Sequence, residues 1–195
     1  NQGNLDLESF TKLLEFQKQS GANGVVVAGS TGEAPTVTDG EFEEMLESAK
    51  SFQAENFKII ASVGTNNTHT TIQKAALAEK YDVDGLLVVA PYYNRPRPHS
   101  LFEHYNAVND AVKTPIILYN IPARNSIDMK PDLCERLFEL SNVVGIKDST
   151  ANLARPLYFA DRNGIVQLSG DDHTMIGYNA MGGIGVISAT SNVIP

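Results

Sequence analysis

The sequence predicts one parallel α/β domain of the TIM, or (β/α)8, barrel class, and three observations lead there. Short apolar runs rich in β-branched residues recur along the whole chain. They are continuous rather than alternating, which marks strands covered on both faces. Stretches of helical period separate them at the spacing of βαβ units. The loop after the first run, Ala28-Gly29-Ser30-Thr31-Gly32-Glu33, lacks the G-x-G-x-x-G fingerprint of a dinucleotide-binding open sheet, which favours a barrel.

The elements follow in order. Residues 5–20 read as a helix with Asp6 as N-cap and Leu7, Phe10, Leu13 and Leu14 facing inward. The first strand is 24–28. Thr38-Asp39-Gly40-Glu41 has the capping-box form, with Phe42, Met45, Leu46 and Ala49 on one face of the helix it opens. Strands at 58–63 and 85–89 come next. Ser100-Leu101-Phe102-Glu103 is a second capping-box sequence, before a helix whose buried face carries Leu101, Tyr105, Val108 and Val112. A strand at 115–119 leads to a fifth helix opened by Pro131 in its first turn. The remaining strands are 143–146, 165–168 and 185–188. Seven strands against the eight of a full barrel predict a truncated one, with the first strand and the last helix absent from a single domain over 1–195. Such a sheet exposes two edges.

Composition bounds the function. With 42% hydrophobic and 19% charged residues, the 195-residue chain has material for a substantial core. Fifteen Lys and Arg against 23 Asp and Glu give a net charge of −8, which argues against a nucleic-acid surface and for a small-molecule substrate. Cys134 is the sole cysteine, so no intrachain disulfide forms and a reducing compartment is expected. No apolar run approaches the roughly 18 residues of a membrane span. Asn1-Gln2-Gly3-Asn4 lacks the build of a secretory leader. The expected location is the cytoplasm.

Barrels of this class carry their chemistry on the loops after the C-terminal strand ends. Here those ends hold Ser30-Thr31, Gly64-Thr65-Asn66, Tyr92-Tyr93-Asn94, Tyr119-Asn120, Lys147-Asp148 and Gly170-Asp171-Asp172. Hydroxyls, phenols and one amine suit proton transfer and carbonyl chemistry. The four histidines, at 69, 99, 104 and 173, show no metal-ligand spacing, so a metal centre built on Glu33, Asp171 and Asp172 is disfavoured. Lys147 ends an apolar strand, where an ammonium is poorly solvated and a free amine is available to attack a carbonyl. Tyr119 ends the preceding strand and would share the same mouth as a proton shuttle. Each residue also has a purely structural reading. Lys147 could pair with Asp148, Tyr119 could be an amphipathic residue at the core edge, Ser30-Thr31 could cap a helix, and Arg124 could be a surface arginine rather than a carboxylate clamp.

In combination the motifs are specific. Gly29-Ser30-Thr31-Gly32-Glu33, Pro91-Tyr92-Tyr93-Asn94-Arg95-Pro96, Tyr119-Asn120-Ile121-Pro122-Ala123-Arg124, Gly145-Ile146-Lys147-Asp148, Ser169-Gly170-Asp171-Asp172 and the closing Gly185-Val186-Ile187-Ser188 occur in order along the chain. The sequence thereby resembles the pyruvate-dependent class I aldolases typified by dihydrodipicolinate synthase, a group that also includes the N-acetylneuraminate lyases. The resemblance implies a lyase that condenses pyruvate with L-aspartate 4-semialdehyde, giving 4-hydroxy-tetrahydrodipicolinate for diaminopimelate and lysine biosynthesis. It implies no cofactor and no metal, the pyruvate being held as a covalent imine.

Carried over, Lys147 forms the imine, Tyr119 donates and accepts protons, and Ser30 and Tyr93 complete a hydroxyl relay. Tyr93 would reach into a neighbouring subunit's site, which implies a homodimer or homotetramer. Thr31 would hold the pyruvate carboxylate, Arg124 the carboxylate of the aldehyde, and Gly170 and Ile187 would line the pyruvate pocket. Serine at position 30 is commoner in the N-acetylneuraminate lyases, whereas Arg124 and the Tyr-Tyr-Asn-Arg-Pro segment favour the synthases. Thr70, Asp39 and Phe42 stand where lysine-inhibited members place acidic and histidine side chains, which predicts weak or absent lysine feedback. A lyase for a sugar-derived 2-oxo acid is the alternative activity, and a catalytically impaired barrel fragment is the non-enzymatic one.

Overall fold

The computed structural model describes residues 3–195 and contains a seven-stranded, all-parallel sheet in the sequential order β1 to β7. The strands are β1 (Gly24–Val27), β2 (Lys58–Ser62), β3 (Gly85–Val89), β4 (Ile116–Asn120), β5 (Val143–Asp148), β6 (Val166–Ser169) and β7 (Gly185–Val186). Seven helices accompany them: α1 (Leu7–Gln19), α2 (Asp39–Lys50), α3 (Thr68–Glu79), α4 (Pro98–Ala111), the one-turn α5 (Pro122–Asn125), α6 (Pro131–Leu137) and α7 (Met175–Ala180). Strictly sequential parallel pairing is the arrangement of a barrel wall, not of a doubly wound sheet. The sheet curls far enough that α1, before its first strand, meets a 3₁₀ turn, Thr190–Asn192, after its last: Gln17 Nε2 donates to the Ser191 carbonyl at 2.6 Å.

Two apolar layers follow from the strand alternation. Ile116 and Leu118 of β4 join the layer between sheet and helices, with Phe42, Leu46, Leu86, Leu101, Tyr105 and Ile146. Ile117 and Tyr119 face the barrel interior with Leu87 and Ile121, packed by Val26, Ile60, Val89, Val144, Leu168 and Ile187. At the N-terminal mouth a cavity of about 270 Å³ lies beside Lys58, Ile60, Asp84 and Val144, at the opposite end of the strands from the candidate chemistry.

One irregularity sets the geometry of the C-terminal mouth. β4 pairs with β5 as Ile116↔Val143 and then Ile117↔Gly145, so Val144 is an extra residue in β5. Both Val144 and the inward-paired position at Gly145 precede Ile146 on the outer face, and the shift brings Lys147 opposite Tyr119. A one-residue change of register exchanges the faces of every later side chain, so this bulge is what turns Lys147 inward. Glycine is required at 145 because a Cβ there would lie 2.5 Å from the Val166 carbonyl oxygen.

Several details differ from the sequence expectations. Asp6 and the Thr38–Glu41 capping box form as anticipated. The Ser100–Glu103 box does not: Pro98 occupies the first helical turn, so α4 starts three residues early with Arg97 at its cap, and Ser100 lies inside the helix. Leu13 is not inward but 36% exposed, because the contact face of α1 runs through Leu14 and Gln17. β4 and β5 extend beyond their apolar runs to Asn120 and Asp148, and β7 is only two residues long. α5, carrying Arg124, had no periodic signal at four residues. Among the described residues no helix is long and apolar enough to cross a membrane. The reading of the first four residues as no secretory leader rests partly on Asn1 and Gln2, which lie outside the described residues.

The α3–α4 contact contains a buried titratable group. His104, 5% exposed, bonds through Nδ1 to Thr68 Oγ1 at 2.8 Å, while its Nε2 is buried without a partner. Burial pushes its pKa down from 6.5 to about 4. The unfolded chain therefore takes up a proton between these values and the native chain does not, so stability is complete above pH 6.5 and is lost as the pH falls towards 4. Urea unfolding of His104→Leu is expected to show a stability profile flatter by up to about 3 kcal/mol over that interval. Parallel profiles for variant and parent would refute this.

Candidate active site

The site is built where β4 and β5 end side by side. Tyr119 and Lys147 are register partners, and Lys147 Nζ stands 4.3 Å from the centroid of the Tyr119 ring. Both are nearly enclosed, Tyr119 at 4% and Lys147 at 9% exposure. Among the described residues Lys147 forms no ion pair; Asp148, its neighbour in sequence, faces the other side of the sheet and pairs with Arg155 at 3.2 Å. The structural reading of Lys147 as a partner of Asp148 is thus set aside. Burial brings the Lys147 pKa from 10.5 down to about 8, against the opposing charges of Asp171 and Asp172. At pH 7.5 such an amine is neutral in about a quarter of molecules, against about one in a thousand at the ordinary value.

The Tyr119 phenol is raised above its usual pKa by burial, opposed by the nearby hydroxyls of Ser149 and Ser30 and by the charge of Arg124. This places Ser30, Arg124 and the phenol in one neighbourhood. The β1 loop delivers Ser30 through a left-handed Ala28 (φ 52°) rather than into a helix cap; a 3₁₀ turn follows, and α2 begins only at Asp39. α5 delivers Arg124. Gly170 presses on the amine stem: a Cβ at this position would meet Ser149 Oγ at 1.9 Å and Lys147 Cε at 2.9 Å. Ile187 packs against the inward cluster that contains Tyr119, held by its N–H to the Ser169 carbonyl at 2.9 Å.

Two further predicted residues lie at the surface. Thr31 is solvent-exposed beside Ser30. Tyr93 is 91% exposed, with φ at 72°, in a loop tied back by Asn94 Nδ2 to the Asn66 carbonyl at 3.0 Å and by Arg95 to Ser126 Oγ at 3.0 Å. Its side chain is absent from this chain's own Lys147 pocket.

Sequence reasoning passed over the support behind the pair. Asn120 and Asp148 point outward into a buried polar network. Asn120 Nδ2 donates to Asp148 Oδ2 and to Asp128 Oδ1, each at 3.0 Å, and Asn120 Oδ1 accepts from the Met129 N–H at 3.1 Å. Arg155, 4% exposed, bridges Asp148, Asp128 and the Met129 carbonyl. Thr150 closes on the other Asp148 oxygen. The network fixes the backbone from which Tyr119 and Lys147 project on the opposite face. The signal for it in the sequence was an ionisable or amide residue directly following each inward one. Ser149 was also missed. Among the described residues no three His, Cys, Asp or Glu side chains gather as a potential metal site.

A buried amine of lowered pKa beside a phenol, with hydroxyls, a guanidinium and a glycine-lined recess around them, is suited to imine chemistry on a small oxo acid. Comparison with known proteins shows the family. The model of the dihydrodipicolinate synthetase family matches residues 1–195. The 4-hydroxy-tetrahydrodipicolinate synthases of Parvibaculum lavamentivorans and Pelagibacter ubique are 45% and 44% identical over 99% and 98% of this chain, covering 67% and 66% of their own lengths. The crystal structure of dihydrodipicolinate synthase from Aquifex aeolicus superposes with a TM-score of 0.95 at 39% identity, over 100% of this chain and 68% of that one. That of the chloride-inhibited Acinetobacter baumannii enzyme complexed with pyruvate does so with 0.95 at 37%, over 99% and 67%. The chain spans about two thirds of the length of the relatives it matches. By its matched length and by the order and placement of these strand-end residues, the chain belongs to the dihydrodipicolinate synthetase family.

Proposed function

We propose that this chain forms the catalytic barrel of a 4-hydroxy-tetrahydrodipicolinate synthase, a cytoplasmic lyase that joins pyruvate to L-aspartate 4-semialdehyde through an imine on Lys147. The observation that carries the reading is the enclosed Lys147 amine, unpaired, lowered to about 8 and 4.3 Å from the Tyr119 ring. The pyruvate in the Acinetobacter baumannii structure supports the first substrate.

In this reading neutral Lys147 attacks C2 of pyruvate. Tyr119 gives its proton to the carbinolamine hydroxyl, which leaves as water as the C=N bond forms. The resulting phenolate takes a proton from C3, and the enamine attacks the aldehyde carbon, whose oxygen takes that proton from Tyr119 as its C=O double bond opens. Arg124 holds the carboxylate of the aldehyde, Thr31 and the recess at Gly170 and Ile187 hold the pyruvate, and Ser30 links the phenol to the exterior. The exposed Tyr93 serves a neighbouring subunit's site in a homo-oligomer. No cofactor enters, since the imine itself is the electron sink. The competing aldolase reading, with a sugar-derived aldehyde, has no second carboxylate for Arg124 to clamp. Arg124→Ala should accordingly raise KM for aspartate semialdehyde by roughly ten- to a hundredfold; turnover of N-acetylmannosamine in its place would favour the alternative.

Incubation with pyruvate and borohydride, followed by peptide mass mapping, should yield a reduced adduct on Lys147 that is lost in Lys147→Met. A folded chain that gives no adduct would refute the imine. The trapping rate should rise with pH through a midpoint near 8. Because Asp171 holds the Lys147 pKa up, Asp171→Asn should move that midpoint downward; an upward shift would contradict the electrostatics.

The lowered pKa also has a stability cost, complete below pH 8 and vanishing as the pH climbs from 8 to 10.5. Lys147→Met is thus expected to be roughly 1–3 kcal/mol more stable than the parent at pH 7, the gain shrinking in alkali. Equal stability at pH 7 would show the ammonium to be solvated.

A further inference from the structure

Ser149 stands two residues beyond Lys147, just past the end of β5, and its backbone N–H donates to the Asn120 carbonyl at 2.8 Å. It is 8% exposed, and its Oγ is buried without a full hydrogen bond to any protein group. A buried hydroxyl in that condition is destabilising, a cost that alanine would avoid. Its surroundings are specific. The point where a Gly170 methyl would sit is 1.9 Å from Ser149 Oγ and 2.9 Å from Lys147 Cε, so hydroxyl and amine stem flank one small recess. The same hydroxyl lies near enough to the Tyr119 phenol to act on its titration. Ser30, the other hydroxyl near the phenol, is exposed, so the two serines approach it from unlike environments.

We infer that Ser149 is a positioning residue for proton transfer, the buried hydroxyl that holds the Tyr119 phenol and donates a hydrogen bond to the phenolate formed when the carbinolamine loses water. The balance is that of the proposed cycle. The phenol proton leaves with the C2 hydroxyl as water, the negative charge stays on the Tyr119 oxygen until C3 returns a proton, and Ser149 donates to that oxygen without giving up its own proton. A donor is worth most where the charge develops away from water, which is at the Ser149 side of the ring. The charged groups that also face this pair are Lys147 from β5, Arg124 from α5, and Asp171 and Asp172 after β6.

This inference rests on the imine reading, and borohydride trapping separates the two. In Ser149→Ala the adduct should still map to Lys147, with its midpoint near pH 8 kept, but form roughly ten- to a hundredfold more slowly. At high pH trapping should fall as Tyr119 loses its phenol proton, and this alkaline limb should move to higher pH in the variant, because a hydroxyl that lowers the phenol pKa has been removed. Ser149→Thr should restore rate and limb. Ser149→Cys keeps the volume and loses the strong donor, so it should behave like alanine. Wild-type rate and limb in the alanine or cysteine variant would overturn the role of Ser149 and leave the imine standing. Absence of an adduct in the parent chain would instead overturn the imine and this role with it.

Discussion

The site depends on one extra residue in β5. Strict alternation from Val144, which faces the barrel interior, would put Ile146 inside and Lys147 outside, under the helices. The register shift between Ile116 and Ile117 of β4 absorbs Val144 as a bulge, so Ile146 enters the outer core and Lys147 comes to lie opposite Tyr119. Gly145 permits this because β5 there runs too close to Val166 for any side chain. An amine 4.3 Å from the centre of the phenol ring is thus the product of a backbone irregularity three residues upstream, permitted by a glycine.

From that shift the two faces of the strand ends acquire separate tasks. Inward, Tyr119 and Lys147 stand in an apolar surround that withdraws water from the amine. Outward, Asn120 and Asp148 enter the network with Arg155, Asp128 and Met129. A buried arginine between two carboxylates is weak support for stability, since desolvation offsets much of the attraction. Its better-founded effect is positional: several directional bonds converge on the residues directly following the reactive pair, where a small displacement would be costly to the chemistry.

The parts legible in the sequence are those encoded locally. Continuous apolar runs marked all seven strands, and Asp6, the Thr38–Glu41 box and Pro131 marked their helix starts, because each involves neighbours within one turn. Ser100 failed as a cap because Pro98 competes for the same turn, and Leu13 failed as a core residue because several faces of α1 carry apolar side chains while tertiary packing buries only one. Lys147 and Tyr119 were legible as residue types at strand ends. Their facing was not, since it rests on the bulge and therefore on pairing between residues 27 apart in sequence. Ser149 and Arg155 share that limit: a serine and an arginine after a strand carry no distinguishing pattern until Gly170 and Asp148 are placed against them.

The electrostatic balance at Lys147 has the same origin. Burial alone favours the neutral amine, and carboxylates nearby favour the ammonium. Asp171 and Asp172 exert their charge without pairing with the amine, because both are engaged elsewhere: Asp171 accepts from the Ala151 N–H at 3.0 Å, and Asp172 accepts from Thr190 Oγ1 at 2.7 Å and from its N–H at 3.1 Å. A direct ion pair would fix the proton on nitrogen and occupy the lone pair needed for attack. Carboxylates anchored to their own loops leave the nitrogen unobstructed and moderate its pKa to about 8, where free amine and proton-bearing forms coexist near neutrality. In the proposed cycle only the neutral fraction can attack, and the proton comes from the neighbouring Tyr119 phenol rather than from the ammonium.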